Sequence, residues 1–113
     1  MRVRWARYGN LPVLELSSWR ECGNVRAVFT CRLGGVSQGA YWALNLGHGV
    51  GDAPEAVHRN RRLFWESVGV LPGSIVSSSQ VHGDKVLAVS KRAGGNWGPA
   101  DGLVTAETGT YLV

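Results

Sequence analysis

The 113-residue chain has a formal net charge of +4, with 44% hydrophobic and 18% charged residues, a composition typical of one globular domain. It contains no run of about eighteen apolar residues and no apolar segment after its basic start, so we expect no membrane partner, no secretory signal and a cytoplasmic location. Its 12 lysine and arginine residues are scattered, which indicates general basicity or a small anionic ligand and argues against a nucleic acid.

Three strands are predicted in the first third of the chain. The first two, Val3–Tyr8 and Leu11–Leu16, flank the turn pair Gly9-Asn10, and the third covers residues 25–30. Together they predict a small antiparallel sheet at the start of the fold.

The two cysteines of the chain, Cys22 and Cys31, have neither the spacing of a redox pair nor that of a zinc knuckle. Without a secretory signal we expect both thiols to be reduced. Their predicted role is that of small buried apolar residues.

A glycine-rich segment follows, with six glycines between Gly34 and Gly51. A flexible linker would be poor in bulky residues, but this segment contains Tyr41, Trp42 and Leu44. We interpret it as a loop packed by its own side chains, the kind of loop that carries functional sites on a rigid scaffold.

One helix is predicted over residues 53–68, ending at Gly69. Asp52 is the expected N-cap, with Glu55 completing a capping box and Pro54 in the first turn. The predicted apolar stripe consists of Ala56, Val57, Leu63, Phe64 and Val68.

Helical spacing places Asn60 and Arg61 within that apolar stripe. A buried arginine is costly unless its donors meet a carboxylate or carbonyl groups. Arg61 therefore either clamps a loop or points into a ligand cavity.

The last third is predicted to be β-rich. Strands at residues 75–81 and 85–89 joined by His82-Gly83-Asp84 predict a hairpin. A polar, glycine-rich connection is expected over residues 91–99, and further strands over 101–105 and 109–113. Because the chain ends within an apolar strand, we expect it to be cut from a longer domain.

Six spaced motifs carry a family resemblance. They are Phe-Thr-Cys-Arg-Leu-Gly-Gly-Val-Ser at 29–37, Tyr41 with Leu-Asn-Leu-Gly at 44–47, Val-Gly-Asp at 50–52, Asn-Arg at 60–61, Gln-Val-His-Gly at 80–83 and Ala-Asp-Gly-Leu-Val-Thr at 100–105. In this order they closely resemble the N-terminal part of the YfiH family, also called the laccase-domain, polyphenol oxidoreductase or peptidoglycan-editing-factor family, which includes the macrophage protein FAMIN. The resemblance implies a YfiH/CNF1-like α+β fold with mixed β-sheets and packed helices. Residues 1–113 would form the N-terminal part of a single domain, truncated before its C-terminal half.

The resemblance also implies an activity. Family members look like zinc-dependent purine nucleoside phosphorylases that act on adenosine, inosine and methylthioadenosine, and some deaminate adenosine. The implied partners are a purine nucleoside and phosphate, and the implied cofactor is zinc, with copper as an older assignment. Editing of peptidoglycan precursors is an alternative function attached to the same family.

The family holds its metal with a histidine, a cysteine and a second histidine. The first histidine corresponds to His82, which follows a β-branched run and precedes a glycine suited to a tight turn. The cysteine and the second histidine would lie beyond Val113, so the chain alone is expected to be inactive, because an open zinc site needs about three protein ligands.

Four further residues of the chain are substrate-binding candidates. Arg32 either binds phosphate or clamps its loop, Asn45 either bonds a purine edge or caps the loop, and Arg61 has the two roles given above. Gln80 would orient His82 or the substrate. A role for His48 is left open, because Gly49 stands where many relatives carry a histidine.

Two further alternatives come from other classes of protein. One is a non-catalytic basic module whose loop, residues 32–51, binds an anion or a nucleic acid. The other is a half-domain that completes its sheet with another chain, or with a second copy of itself, through the strand edge at residues 109–113.

Overall fold

The computed structural model describes residues 1–90 and 94–113, and the chain divides into two compact units, Met1–Gly69 and Val70–Val113. The first unit contains an antiparallel sheet and one α-helix, and the second contains two parallel sheets. This confirms the α+β class with mixed sheets, and the described part has the one α-helix that the sequence predicted, together with three 3₁₀ turns. Within these residues, no helix has the length and apolar character needed to cross a membrane.

The sheet of the first unit has the order β1-β2-β3. Strands β1 (Val3–Tyr8) and β2 (Leu11–Leu16) have the predicted bounds, and Gly9 closes their turn at a φ of +56°. Strand β3 covers only Val28–Thr30, so the predicted start at residue 25 is wrong. The reason is that β2 passes into a 3₁₀ turn at Ser17–Cys22, which leaves residues 25 and 26 without a strand to pair with.

The 3₁₀ turn contains Cys22, one of the two cysteines. None of its residues is buried, and Cys22 at its end is exposed. Cys31 is half-buried, and both thiols are free. The prediction of a buried apolar role is therefore wrong for Cys22.

Strand β2 carries a buried carboxylate, because Glu15 is only 1% exposed. Its oxygens accept a hydrogen bond from Arg20 Nε, one from Tyr8 Oη at 3.1 Å and one from Arg4 Nη2 at 3.5 Å. Burial raises the pKa of Glu15, but the hydrogen bonds from Arg20 and Tyr8 and the charges of Arg20 and Arg4 outweigh it and hold the pKa below its ordinary value. The ionised form of Glu15 therefore stabilises the folded first unit.

We expect Glu15→Gln to lower the free energy of unfolding at pH 7, and we expect its difference from the native chain to shrink as the pH falls. A depressed folded-state pKa gives stability that is present above the unfolded-state pKa and is lost as the pH falls through the folded-state pKa. Urea titrations between pH 3 and pH 7 measure this difference. The exposed Glu21 supplies the control, because Glu21→Gln should shift the curve little at any pH. Equal losses for both variants at pH 7 would contradict the assignment.

Helix α1 runs from Pro54 to Val68 and ends at Gly69, which takes the left-handed conformation at a φ of +73°. The predicted capping box is wrong. Ala53 is the N-cap, and its methyl side chain cannot make a cap bond. The carboxylate of Asp52, the predicted N-cap, is bonded instead to Ser37, to Asn45 and to the Ala53 N–H.

The buried face of α1 differs from the predicted apolar stripe at two positions, Ala56 and Leu63, and Ala56 is only half-buried. Leu63 is 37% exposed, because it precedes the buried Phe64 by one residue and so lies about 100° around the helix from it. Asn60 is fully buried, as its place in the stripe predicted. The buried residues of the helix are Val57, Asn60, Phe64 and Val68.

The described residues of the second unit, 70–90 and 94–113, form five strands. They are β4 (Ile75–Ser79), β5 (Val86–Ala88), β6 (Gly95–Pro99), β7 (Gly102–Val104) and β8 (Tyr111–Leu112). Strand β4 lies between β6 and β8 in one parallel sheet, and β5 pairs with β7 in a second parallel sheet. The three strand pairs seen among these described residues therefore join strands that are distant in the sequence.

Two predictions for this unit are wrong. Strands β4 and β5 do not form a hairpin, because the six residues 80–85 between them exceed a usual hairpin loop and the turn is bonded elsewhere. The predicted connection over residues 91–99 includes residues 91–93, which lie outside the described residues, and residues 95–99, which form β6. A glycine- and proline-containing strand is tolerated there because β6 lies at the edge of its sheet.

Candidate functional site

In the second unit, the turn after β4 is organised by a carboxylate. The backbone N–H groups of Val81 and His82 donate to Asp101 Oδ1 at 3.0 and 2.7 Å, and the N–H of Gly83 donates to Asp101 Oδ2 at 2.8 Å. Three consecutive amides that converge on one anion form the concave arrangement known as a nest. We call residues 81–83 together with Asp101 the clamped turn.

Asp101 is itself fixed by the strands on either side. The preceding residue, Ala100, is fully buried, donates its N–H to Ser79 O at 3.1 Å and accepts a bond from Ser78 Oγ at 3.1 Å. The N–H of Asp101 donates to Lys85 O at 3.0 Å. The carboxylate therefore projects from a backbone that is bonded at both ends of the turn.

The carboxyl group of Asp101 is held in its charged form, which accepts hydrogen bonds from the turn. Burial raises the pKa of its carboxyl, but the N–H groups of Gly83, Val81 and His82 outweigh that effect and lower the pKa below its ordinary value. Asp101 is therefore ionised near neutral pH and acts only as a hydrogen-bond acceptor.

His82 has a φ of +60° and, among the described residues, is the one non-glycine residue with a positive φ. The left-handed region is disfavoured for a residue with a Cβ, and such outliers cluster at functional sites. The His82 side chain is exposed and has no partner in residues 1–90 and 94–113. Its imidazole is therefore available to an external ligand.

The donor set of this chain fits one ligand position of a metal site. Neutral imidazole is a common zinc ligand, and His82 offers it at a fixed turn. No group of three or more His, Cys, Asp or Glu side chains that could hold a metal occurs within the described residues. Gln80 was predicted to orient His82 or the substrate. It is exposed, and its side chain makes no hydrogen bond to any of the described residues.

In the first unit, a buried amide holds the glycine-rich loop against α1. Asn60 Oδ1 accepts the N–H of Val36 at 2.7 Å, and Asn60 Nδ2 donates to Ser37 Oγ and to Asn45 O, both at 2.9 Å. Ser37 Oγ in turn donates to Asp52 Oδ2 at 2.5 Å. Polar contacts thus fix the loop, and of its bulky residues Leu44 is buried whereas Trp42 is 51% exposed.

The Asp52 carboxylate completes this network. The hydrogen bond from Ser37 lowers its pKa, burial opposes that effect, and bonds from Asn45 and the Ala53 N–H lower the pKa further, so that the net shift is downward. An ionised Asp52 therefore joins the loop to the start of the helix.

The same loop lines a cavity of about 220 Å³. Arg32 is exposed at this cavity, and its Nη2 donates to Ala40 O at 3.4 Å, a long bond that uses one of five donors. The exposed indole of Trp42 lies in the same lining. The lining residues are Arg32, Ala40, Tyr41, Trp42, Ala43, Leu44 and Asn45. A cavity lined by both an arginine and an aromatic residue is suited to an anionic ligand that carries a planar ring.

The structure brings Arg32 and Asn45 together at this cavity but gives Asn45 internal partners. Asn45 Oδ1 accepts the N–H of Gly47 at 3.1 Å, and Asn45 Nδ2 donates to Asp52 Oδ2 at 3.2 Å. These contacts support loop capping, the structural one of the two predicted roles.

Arg61 likewise acts within the first unit. Its Nε donates to Leu46 O at 2.8 Å, which is the loop clamp among its two predicted roles, and burial lowers its pKa. The positive charge of Arg61 lowers the pKa of His48, with burial and His58 adding to the effect. The rings of His48 and His58 have centroids 5.2 Å apart.

Sequence reasoning missed two residues that organise these sites. Asp101 was present in a recognised motif, but nothing local showed that its carboxylate reaches back to residues 81–83. Asn60 was placed in a buried stripe, and an amide among apolar neighbours is the signal that a loop must supply its partners.

The fold and the clamped turn define an α+β protein that presents His82 at an exposed turn after β4. Comparison with known proteins gives the family. A family model described as multi-copper polyphenol oxidoreductase laccase matches residues 26–113. The chain belongs to this family, which confirms the resemblance to YfiH proteins.

The relatives are longer than this chain. A purine nucleoside phosphorylase of Streptomyces coelicolor is 48% identical over 85 residues, which cover 74% of this chain and 35% of that protein. The purine nucleoside phosphorylase YfiH of Escherichia coli is 40% identical over 100 residues, which cover 82% and 40%. The crystal structure of YlmD from Geobacillus stearothermophilus matches with a TM-score of 0.74 at 35% identity, over 80% of this chain and 36% of that one. The chain therefore spans 35% to 40% of the length of these relatives.

Proposed function

We propose that residues 1–113 form the N-terminal part of a single YfiH-type domain in a cytoplasmic, zinc-dependent purine nucleoside phosphorylase. The observation that carries the proposal is the exposed imidazole of His82, held in a left-handed turn by Asp101. The names of the relatives support the reaction class.

In this proposal the two units supply different functions. His82 provides one of the roughly three protein ligands that an open zinc site requires, and a bound zinc ion supplies Lewis acidity there. Arg32 and Trp42 line the cavity of the first unit, where a guanidinium suits phosphate and an indole suits a purine. Because His82 is assigned as a ligand, it does not serve as a general base.

The metal assignment is tested in the native gene product with His82→Ala. We expect zinc measured by elemental mass spectrometry to fall from near one equivalent to less than about a tenth, because one lost protein ligand opens a site that needs about three. The matched control is His58→Ala, since His58 is an exposed histidine on α1. Full zinc occupancy in the His82 variant would overturn the assignment.

The phosphate assignment is tested by Arg32→Met. We expect the KM for phosphate to rise at least about tenfold with a smaller change in the KM for the nucleoside, because a charged hydrogen bond contributes roughly 1.5–3 kcal/mol. Arg59→Met removes the same charge from an exposed position on α1 and should leave both constants within about twofold. If both variants raise the KM for phosphate equally, Arg32 has no specific role.

The range of substrates belongs to the same proposal. Adenosine, inosine and methylthioadenosine are the expected nucleosides, and adenosine deamination is a second expected activity. Chromatography of each nucleoside after incubation with and without phosphate separates the two reactions. A free base that appears only with phosphate indicates phosphorolysis, whereas inosine formed from adenosine without phosphate indicates deamination.

A further inference from the structure

We propose that Asp101 is the positioning residue for His82. Its carboxylate fills the nest formed by three backbone N–H groups and fixes the conformation from which the imidazole projects. The consequence for metal binding rests on the proposed role of His82 as a ligand, whereas the effect on the turn does not.

The first support is the pattern of bonds. Two amides share Oδ1 and a third uses Oδ2, at 2.7 to 3.0 Å, so both carboxylate oxygens are used by one short segment. Hydrogen bonds to an ionised acceptor are shorter and stronger than neutral ones. Val81, His82 and Gly83 therefore respond together to any change at Asp101.

The second support is the strain at His82. A φ of +60° places its Cβ in a disfavoured region, and such a conformation persists only where the surroundings enforce it. The His82 N–H makes the shortest of the three bonds to Asp101. The carboxylate therefore supplies the constraint that the turn needs.

The third support is the close approach at Gly83. A Cβ at this residue would lie 3.3 Å from Asp101 Oδ2, tighter than nine in ten Cβ contacts in proteins. A larger residue would displace the carboxylate or the turn. Gly83→Ala is therefore an independent way to disturb the same contact without changing any charge.

The direct test uses amide hydrogen exchange by NMR on the ¹⁵N-labelled native gene product. We expect Asp101→Ala to speed exchange at least tenfold at residues 81, 82 and 83, and to remove the strong intraresidue HN–Hα contact that a positive φ gives His82. Asp84→Ala is the matched control, because Asp84 is an exposed carboxylate next to the turn with no partner in the described residues, and it should change these rates less than twofold. Unchanged exchange in the Asp101 variant would overturn the proposal.

A milder variant keeps the test decisive if Asp101→Ala does not fold. Asp101→Asn retains one carbonyl acceptor and replaces the other oxygen with a donor. We therefore expect at least one of the three amides to lose its protection while the Ala100 N–H, which bonds to Ser79 O, keeps its own. Equal acceleration at Ala100 and at the turn would indicate general destabilisation and would count against positioning.

The consequence for metal binding is measured in the native gene product. We expect Asp101→Ala or Asp101→Asn to weaken zinc affinity about 10- to 100-fold, the usual effect of losing a group that orients a ligand. Zinc affinity unchanged in a variant whose turn has lost protection would refute the positioning role while leaving the His82 assignment intact. Zinc retained by His82→Ala would refute the proposed function, and the amide exchange result would still decide the role of Asp101 in the turn.

Discussion

Replacing Gly35 with alanine is expected to destabilise the first unit by about 3 kcal/mol, at the upper end of the usual cost of overpacking. A Cβ at Gly35 would approach Ala43 O, Leu44 Cα and Asn60 Oδ1 to less than 3.0 Å. Two of these atoms belong to the backbone and cannot rotate away. Urea denaturation followed by circular dichroism measures the loss as a lower transition midpoint.

The control is Gly73→Ala, which adds the same methyl group where nothing lies within 4 Å. Its midpoint should change little, since surface substitutions usually stay within about 0.5 kcal/mol. A midpoint for Gly35→Ala equal to that of the native chain would show that the loop is not packed as described.

Replacing Asn60 with leucine is expected to cost about 3 kcal/mol, because each buried partner left without a hydrogen bond costs about 1–3 kcal/mol. The substitution removes the acceptor for the Val36 N–H and the donors to Ser37 Oγ and Asn45 O, at a side chain that is fully buried. Thermal unfolding measures the loss, and faster amide exchange at Val36 would locate it in the loop.

The control for this prediction is Asn24→Ala, since Asn24 is exposed and makes no hydrogen bond within the described residues. We expect its effect to stay within about 0.5 kcal/mol. A second test combines Gly35→Ala with Asn60→Ala. Because the added methyl group would contact Asn60 Oδ1, the double variant should lose less stability than the sum of the single losses. Strict additivity would show that the two residues do not interact.

Local patterns predicted part of the fold. Strands β1 and β2 and the C-terminal end of α1 are specified by short-range periodicity and by turn residues such as Gly9 and Gly69, so their bounds followed from the sequence. The prediction of a capping box was wrong. Asp52 fits the N-cap pattern, but its carboxylate accepts a hydrogen bond from Ser37, a residue outside the helix. Local sequence does not reveal such competition.

Pairing between distant segments was not predictable. The run after Ser79 has the composition of a hairpin turn, yet β5 pairs with β7, and β4 pairs with β6 and β8. The residues of a turn do not show whether the strand before it pairs with the next strand or with a more distant one in a parallel sheet. A hairpin was therefore the natural expectation from sequence, and it was wrong.

In the candidate site, too, residues in local motifs were predicted from the sequence, whereas a contact between distant segments was not. His82 follows from a motif and lies at an exposed turn, and Arg32 lies at a cavity beside Trp42. Asp101 is separated from His82 by 19 positions along the chain, so its contact with the turn required the fold. No periodicity or spacing rule links these two residues.

The parallel sheet around β4 also sets the order in which the chain can fold during synthesis. Ile75 in β4 pairs with Tyr111 in β8, so this sheet is incomplete on the ribosome until nearly all of the second unit has emerged. The antiparallel ribbon of β1 and β2 joins neighbouring residues and can form as soon as it leaves the exit tunnel. During translation, β4 therefore waits longer for its last hydrogen-bonding partner than β1 or β2 does in the first unit.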